Sequence, residues 1–314
     1  MKKIIEDVVK AVKENIRFSD DTSLVKDNFK EIKDEKTSKK IVFIDGGNTE
    51  ILASPDLSVH LIRTFFCVYQ KNKRIKSERK EFFVLVKSVK KGKDIFYKTE
   101  TFPKNKSFEF SFNSLDSELK TGNERVEISR IGGVIRRFAE LEAAKQFKDS
   151  IVVLDGSLKP TYPGEKDFLK KLGNNVIGLS KTTRLFTKKG IGFANMLNKQ
   201  GPKHSWIYKS EESEKNLDAD IYFVKLNKNS KHVFRIDSKN LDSEVLALLK
   251  ENSRDLSFPG YPYGLVEADR FARVSNNEKE MLNTIFSSKL SSFIEINKFL
   301  SSLNAHDTLD RLSH

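Results

Sequence analysis

A chain of 314 residues, 38% hydrophobic and 32% charged, has room for one large domain or two smaller ones around a substantial core. No apolar run approaches the roughly 20 residues of a membrane span. The N-terminus MKKIIEDVVKAVKENI lacks the apolar core of a secretory signal, so a soluble cytoplasmic protein is expected, with no membrane partner. The single cysteine, Cys67, can form no intrachain disulfide, in keeping with a reducing compartment. A formal charge of +13 favours a polyanionic partner, although a lysine-rich chain can also reflect genome composition.

In chain order, residues 1–20 carry Ile4, Ile5, Val8, Val9, Val12 and Ile16 on one helical face. Residues 21–39 read as polar helix or linker, giving an N-terminal helical segment over 1–40. A strand comes next at 41–45. The β-branched and aromatic runs at 59–69, 81–89 and 94–102 predict a meander of antiparallel strands. Residues 103–128 are polar with scattered Phe and read as an excursion from the core. Residues 131–148 predict a helix with Ile131, Val134, Ile135, Phe138 and Leu141 on one face. A strand at 151–155, a helix near 168–172 and a strand near 175–179 succeed it, then a helix over 188–200. Strands near 206–209, 221–226 and 232–236 precede a helix at 241–252 and a Pro-Gly turn at 258–263. Helical segments over 264–274, 277–288 and 291–303 complete the chain. This order predicts an α/β fold, a mixed sheet flanked by helices with inserted segments and a helical C-terminal part. Strand with acid, meander, helix with acid, strand with acid is the RNase H-like layout. The insertions are placed at 103–128 and about 205–237.

Two apolar strands end in the same way, IVFIDGG at Ile41–Gly47 and IVVLDGSL at Ile151–Leu158. A buried strand that stops at an aspartate places its carboxylate at the edge of the sheet, where open α/β folds bind ligands. Asp45 and Asp155, if neighbours, offer oxygen ligands to a hard divalent cation. An Asp-Gly pair alone is often only a turn. On the 131–148 helix, Glu142 falls near the middle of the apolar face and Glu140 opposite it. A buried carboxylate is costly unless paired or metal-bound, so Glu142 is favoured as the third ligand, with Glu140 still open. Basic residues gather near these acids: Arg136 and Arg137 before the glutamates, and Lys181, Arg184, Lys188 and Lys189 after the second aspartate.

The ordered set IDGGN at 44–48, RR-x-x-E-x-E at 136–142, VLDGSL at 153–158, GLSKT at 178–182, YPYGLVEADRFARV at 261–274 and the late His306 resembles the NurA nuclease family from about residue 40 onward. The resemblance implies an RNase H-like nuclease domain over 41–314 that processes DNA ends, usually with manganese, magnesium being possible. It implies 5′ to 3′ resection of double-strand breaks together with single-strand cleavage. It further implies a homodimer acting with a hexameric HerA-type ATPase. By the same resemblance Asp45, Glu142, Asp155 and His306 are metal ligands and Lys181 a catalytic lysine. Arg136, Arg137, Arg184, Tyr261 and Asp269 are candidate DNA contacts. The first motif departs from the family, reading DGGN where DGS is commoner, which bears on the role of a hydroxyl there. Two rival readings are an ATP-dependent phosphotransferase of the actin and sugar-kinase type, from FIDGGNTEI, and a non-catalytic DNA-binding adaptor on the same fold.

Overall fold

The computed structural model describes residues 1–15, 28–120, 122–187 and 189–291. In chain order its elements are α1 (Lys2–Asn15), β1 (Phe29–Glu31), β2 (Lys40–Ala53), β3 (Leu57–Gln70), β4 (Lys73–Lys91), β5 (Asp94–Phe102), β6 (Ser111–Asn113), α2 (Arg130–Ala144) and β7 (Ile151–Asp155). After these come α3 (Glu165–Lys170), β8 (Val176–Ser180), α4 (Phe193–Gln200), β9 (Trp206–Lys209), β10 (Asp220–Lys225), β11 (Phe234–Ser238), α5 (Ser243–Asn252), α6 (Tyr263–Ala272) and α7 (Asn276–Leu290). They form two compact units. The larger holds Ser38–Asp155, Lys159–Val176 and the described residues from Gly264 on; the smaller holds Met1–Thr37, Gly156–Leu158 and Ile177–Tyr263.

In the larger unit the strand order is β7-β2-β3-β4-β5-β6. β2 runs parallel to β7 over Ile41–Ile44 and Ile151–Leu154, and antiparallel to β3 along most of its length. One parallel pair joined to an antiparallel meander makes the sheet mixed. β3 is buried almost throughout because helices cover both its faces, and its side chains alternate between them. On one face Phe66 meets Phe147 edge-on at 4.9 Å. On the other, Phe65 stacks on Phe271 of α6 at 5.0 Å, and the Tyr69 hydroxyl donates to Glu267 at 2.8 Å. The Cys67 thiol donates to the Gly264 carbonyl, and burial raises its pKa, so it is a packing residue.

Two glycines let α6 lie directly on β2. A Cβ at Gly264 would fall inside the Phe43 ring, and one at Gly47 would overlap the Ala272 carbonyl. The segment 103–128 is not an excursion. Phe108, Phe112, Leu119, Val126 and Ile128 are buried, and Phe110 meets Phe138 of α2 at 5.1 Å. Its aromatics are spaced by polar residues because the segment packs one side chain at a time, which a hydropathy run does not register.

The smaller unit has strands in the order β1-β9-β10-β11-β8, each antiparallel to its neighbours. Phe193, Met196 and Leu197 of α4 pack with Trp206, Tyr208, Ile221, Phe223 and Val233 as its core. Burying each such apolar side chain contributes about 1.5–3 kcal/mol. Asp242 caps α5 by accepting the Val245 N–H at 2.8 Å. α1 covers Lys2–Asn15 of the predicted 1–20, and Ile4, Ile5, Val8, Val9 and Val12 are exposed on it. Residues 16–20, Lys188 and the predicted helix beyond Ser291 lie outside the described residues, as does His306. Among the described residues no helix is long and apolar enough to cross a membrane.

Candidate active site

The last in-register pair between the parallel strands is Ile44 with Leu154, and Asp45 and Asp155 are the next residue of each. Neighbouring strands lie about 4.8 Å apart and equivalent positions in a parallel pair face the same way, so the two carboxylates belong to one side of the sheet. Only β7 stops there. β2 does not end at Asp45 as the sequence predicts; it continues through Gly46 and Gly47 to Ala53, still paired with β3. The two glycines that read as a turn signal are instead close-approach positions. Gly47 makes room for α6, and Gly46 makes room for α2, where a Cβ would come within 2.6 Å of Glu140 Oε1 and 3.0 Å of the Arg136 side chain.

Through that gap the acid reaching the strand is Glu140 and not Glu142. Glu140 is 2% exposed. It accepts from Arg137 Nη1 at 3.2 Å and is ion-paired to Arg136, whose Nη1 also donates to the Gly46 carbonyl at 3.2 Å. Glu142 is partly exposed and pairs with Lys145. The apolar-face argument fails because α2 is buried on nearly every side, Arg137 and Glu140 included. A carboxylate can sit in a core when guanidinium groups one turn away neutralise it. Arg137 is itself held on its other side by Glu165, which accepts its Nε at 2.8 Å and the Thr161 N–H at 2.7 Å.

The charges are strongly coupled. Burial, together with the negative charges of Glu140 and Asp155, pushes the Asp45 carboxyl up to about 7, against the pull of the Gly46 N–H and of Arg136. The Gly46 amide donates to Asp45 Oδ1 at 2.7 Å. Burial also raises the pKa of Glu140, with Arg136 and Arg137 opposing it. Asp45 thus lies within the field of two further carboxylates, with Arg136 opposing them. Among the described residues no three acid, histidine or cysteine side chains stand together as a ready-made metal cage.

The other sequence candidates fall elsewhere. Arg137 is buried in its ion pairs and faces no solvent through which DNA could reach it; Arg136 is part-exposed. In the smaller unit Lys181 is exposed, with its Nζ 5.3 Å from the centre of the Tyr261 ring. Tyr261 is 2% exposed and packs on Phe234 at 5.2 Å, so it presents no face for stacking a base. Arg184 is exposed. Asp269 accepts from Arg273 one helical turn on, at 2.9 Å.

The family model for the NurA domain matches residues 39–274. The chain belongs to the NurA family. Among solved structures it is similar to the NurA nuclease from Sulfolobus solfataricus, with 15% identity, TM-score 0.54, and 93% of this chain and 94% of that one covered. A weaker likeness, TM-score 0.39 at 16% identity, is to Ciona intestinalis endonuclease V in complex with a DNA containing inosine, covering 87% of this chain and 97% of that one. No curated protein matches. The NurA fold is thus the RNase H-like mixed sheet expected from the strand and acid order, and family membership supports a DNA nuclease.

Within this NurA chain the departure DGGN has a steric account, since a serine at position 47 would meet the Ala272 carbonyl. Three buried acids escape a reading of the sequence, Glu165, Asp237 and Glu267, while Glu140 enters it only as the alternative to Glu142. For Glu140 the signal is present as two arginines three and four residues ahead of it. Asp237 is fully buried in β11 and accepts from the Ser157 hydroxyl at 2.6 Å and the Leu158 N–H at 3.0 Å. It therefore gives the serine of DGS a structural role. Nothing in the sequence around Asp237 marks it.

Proposed function

We propose that this NurA-family chain is a metal-dependent DNA nuclease that hydrolyses phosphodiesters at DNA ends. The observation that carries the reading is the convergence of Asp45 and Asp155, at equivalent positions of two parallel strands, with Glu140 seated against Gly46. The donor chemistry fits a hard divalent cation, because the acids are oxygen donors near enough for Glu140 and Asp155 to raise the pKa of Asp45. Asp45 and Asp155 would hold it. Glu140 would complete the shell if Arg136 releases it, or His306 from the C-terminal segment could serve, its imidazole suiting manganese beside oxygen ligands. When bound, such an ion neutralises phosphate charge and activates water for attack.

The chain's own residues set the site for this. Arg137 and Glu165 fix the rotamer of Glu140, and the Gly46 amide fixes that of Asp45. Arg136, part-exposed beside Gly46, is placed to meet a phosphate oxygen once it leaves Glu140. Lys181 is proposed to neutralise phosphate charge. Manganese as the preferred ion, 5′ to 3′ resection with single-strand cleavage, a homodimer and a hexameric HerA-type ATPase partner complete the proposal, on the strength of family membership.

The test is cleavage of end-labelled duplex and single-stranded DNA with EDTA, Mn²⁺ or Mg²⁺. Cleavage that needs metal and is lost in Asp155→Asn supports the reading. Metal-independent cleavage, or full activity in that variant, would overturn it. An adaptor without catalysis would bind the same DNA and leave it intact under every condition.

A further inference from the structure

Gly132, Arg136 and Glu140 are spaced four residues apart on α2 and so lie along one side of the helix. That side meets the sheet of the larger unit at two close approaches, each made possible by a glycine. At one, Gly46 of β2 receives the Arg136 and Glu140 side chains. At the other the glycine belongs to the helix: a Cβ on Gly132 would stand 2.4 Å from His60 Nδ1 and 2.6 Å from His60 Cε1. His60, on β3, is 1% exposed, and its ring is tied through its other nitrogen. Nε2 lies 2.7 Å from the Ser58 hydroxyl, which donates its own proton to Glu50 Oε1 at 2.6 Å. By that network Nε2 carries the ring proton and Nδ1 is bare. Nδ1 is buried with no hydrogen-bond partner among the described residues, so the ring acts on α2 by contact alone. Glycine weakens a helix relative to alanine. Of the adjacent pair only Gly132 has a contact that requires it, because a Cβ on Gly133 would meet nothing within 4 Å.

We infer that His60 is a positioning residue for the hydrolytic centre: held by Ser58 and Glu50, its ring sets how deeply α2 seats on the sheet and so how far Glu140 reaches toward Asp45. The inference rests on the nuclease reading, in which Glu140 is the helix acid. Gly132 and Glu140 are joined by about 12 Å of continuous helix, so a shift at the first is carried to the second. Ordinary contact begins at 3.4 Å, and a methyl group at position 132 therefore demands about 1 Å of movement. His60 cannot supply it without breaking the Ser58 bond, because the ring is packed on every side. A misplacement of about 1 Å at a reacting group costs about 100-fold in rate, and partial transmission along the helix about tenfold. Glu50 is partly exposed and anchors the outer end of the network.

The experiment measures single-turnover cleavage by the full chain at saturating metal and DNA, normalised to folded protein by circular dichroism, beside DNA affinity in EDTA. Gly132→Ala should cleave at least about tenfold more slowly than wild type with DNA affinity unchanged, a split that loss of folded protein alone does not produce. Gly133→Ala makes the same chemical change one residue on and should cleave like wild type. Adding His60→Ala to Gly132→Ala removes the ring that the methyl group meets, and the double variant should cleave several-fold faster than Gly132→Ala. Glu50→Ala should slow cleavage, and Glu50→Gln, which keeps an acceptor for Ser58, should restore it. A wild-type rate in Gly132→Ala, or a double variant no faster than that single one, would overturn the inference and leave the nuclease reading intact. If Gly132→Ala does not fold, the Glu50 pair decides, and equal rates in its two members would overturn the inference. A wild-type chain that cleaves no DNA with any metal would overturn both.

Discussion

Replacing either glycine of the DGG motif by alanine separates what holds the fold from what positions the chemistry. Alanine is ordinarily a better strand residue than glycine, worth about 0.5–1 kcal/mol on backbone grounds, so any loss must come from the added Cβ. At Gly46 that Cβ would stand 2.6 Å from Glu140 Oε1 and 3.0 Å from Arg136 Cγ, where ordinary contacts are 3.4–4 Å. The obstacles are ends and stems of two long side chains, so they can retreat by roughly an ångström. Overpacking of this kind costs about 1–3 kcal/mol. The same displacement at a catalytic acid costs about 100-fold in rate. At Gly47 the obstacle is the backbone carbonyl of Ala272, which can yield only if α6 lifts from β2, so the loss of stability should exceed that at Gly46. Thermal melts and single-turnover cleavage with saturating metal test the pair. Gly46→Ala should melt within several degrees of wild type with severely reduced cleavage; Gly47→Ala should melt markedly lower. Full cleavage by Gly46→Ala would refute the placement of Glu140 in the reaction.

Metal removal bears on the same cluster. In EDTA at pH 7.5 Asp45→Asn should melt above wild type, because a carboxyl pushed to about 7 is protonated in the folded chain when the unfolded chain has already released its proton. The penalty accrues between about pH 4 and 7 and reaches about 4 kcal/mol at most. Added Mn²⁺ should raise the melting point of wild type and not that of the variant. His60 governs the acid side: burial lowers its pKa to about 4, so below about pH 6.5 the unfolded chain takes up a proton that the folded chain refuses. Its contribution to stability should fall by about 3 kcal/mol between pH 6.5 and 4, opposite in sign to the relief at Asp45 over the same range, so in an Asp45→Asn background His60→Gln should flatten the acid limb of a pH series of denaturation midpoints. Arg137→Met leaves Glu140 and Glu165 buried without their shared cation, so it should cost about 3–5 kcal/mol in chemical denaturation and greatly reduce cleavage.

The two aspartates are legible because each comes after four apolar residues, a pattern that survives whatever surrounds it. The path of the backbone beyond the acid is legible only at Asp155. At Asp45 the glycines mimic a turn, and only the presence of α2 and α6 reveals that they are spaces into which other elements pack. Glu140 is misplaced because hydropathy on a wheel assumes that burial tracks apolarity. A helix neutralised internally by Arg136, Arg137 and Glu165 breaks that assumption, although the arginine spacing is there to be read. Asp237 and Arg235 are buried two residues apart on one strand face, and their value depends on partners at Ser157 and Glu214 that no local pattern connects. The meander is visible in its β-branched and aromatic content, whereas β1, three residues long, has too little sequence to carry a signal.

The central claim is that Glu140, drawn to Asp45 and Asp155 through the gap at Gly46, is the helix acid of the hydrolytic centre. The direct measurement is the rate of Mn²⁺-dependent cleavage by Glu140→Gln and Glu142→Gln, prepared side by side and checked for equal folding. The account predicts a loss of at least about 100-fold for Glu140→Gln and a rate near wild type for Glu142→Gln. The reverse order, or equal rates in the two, would contradict it.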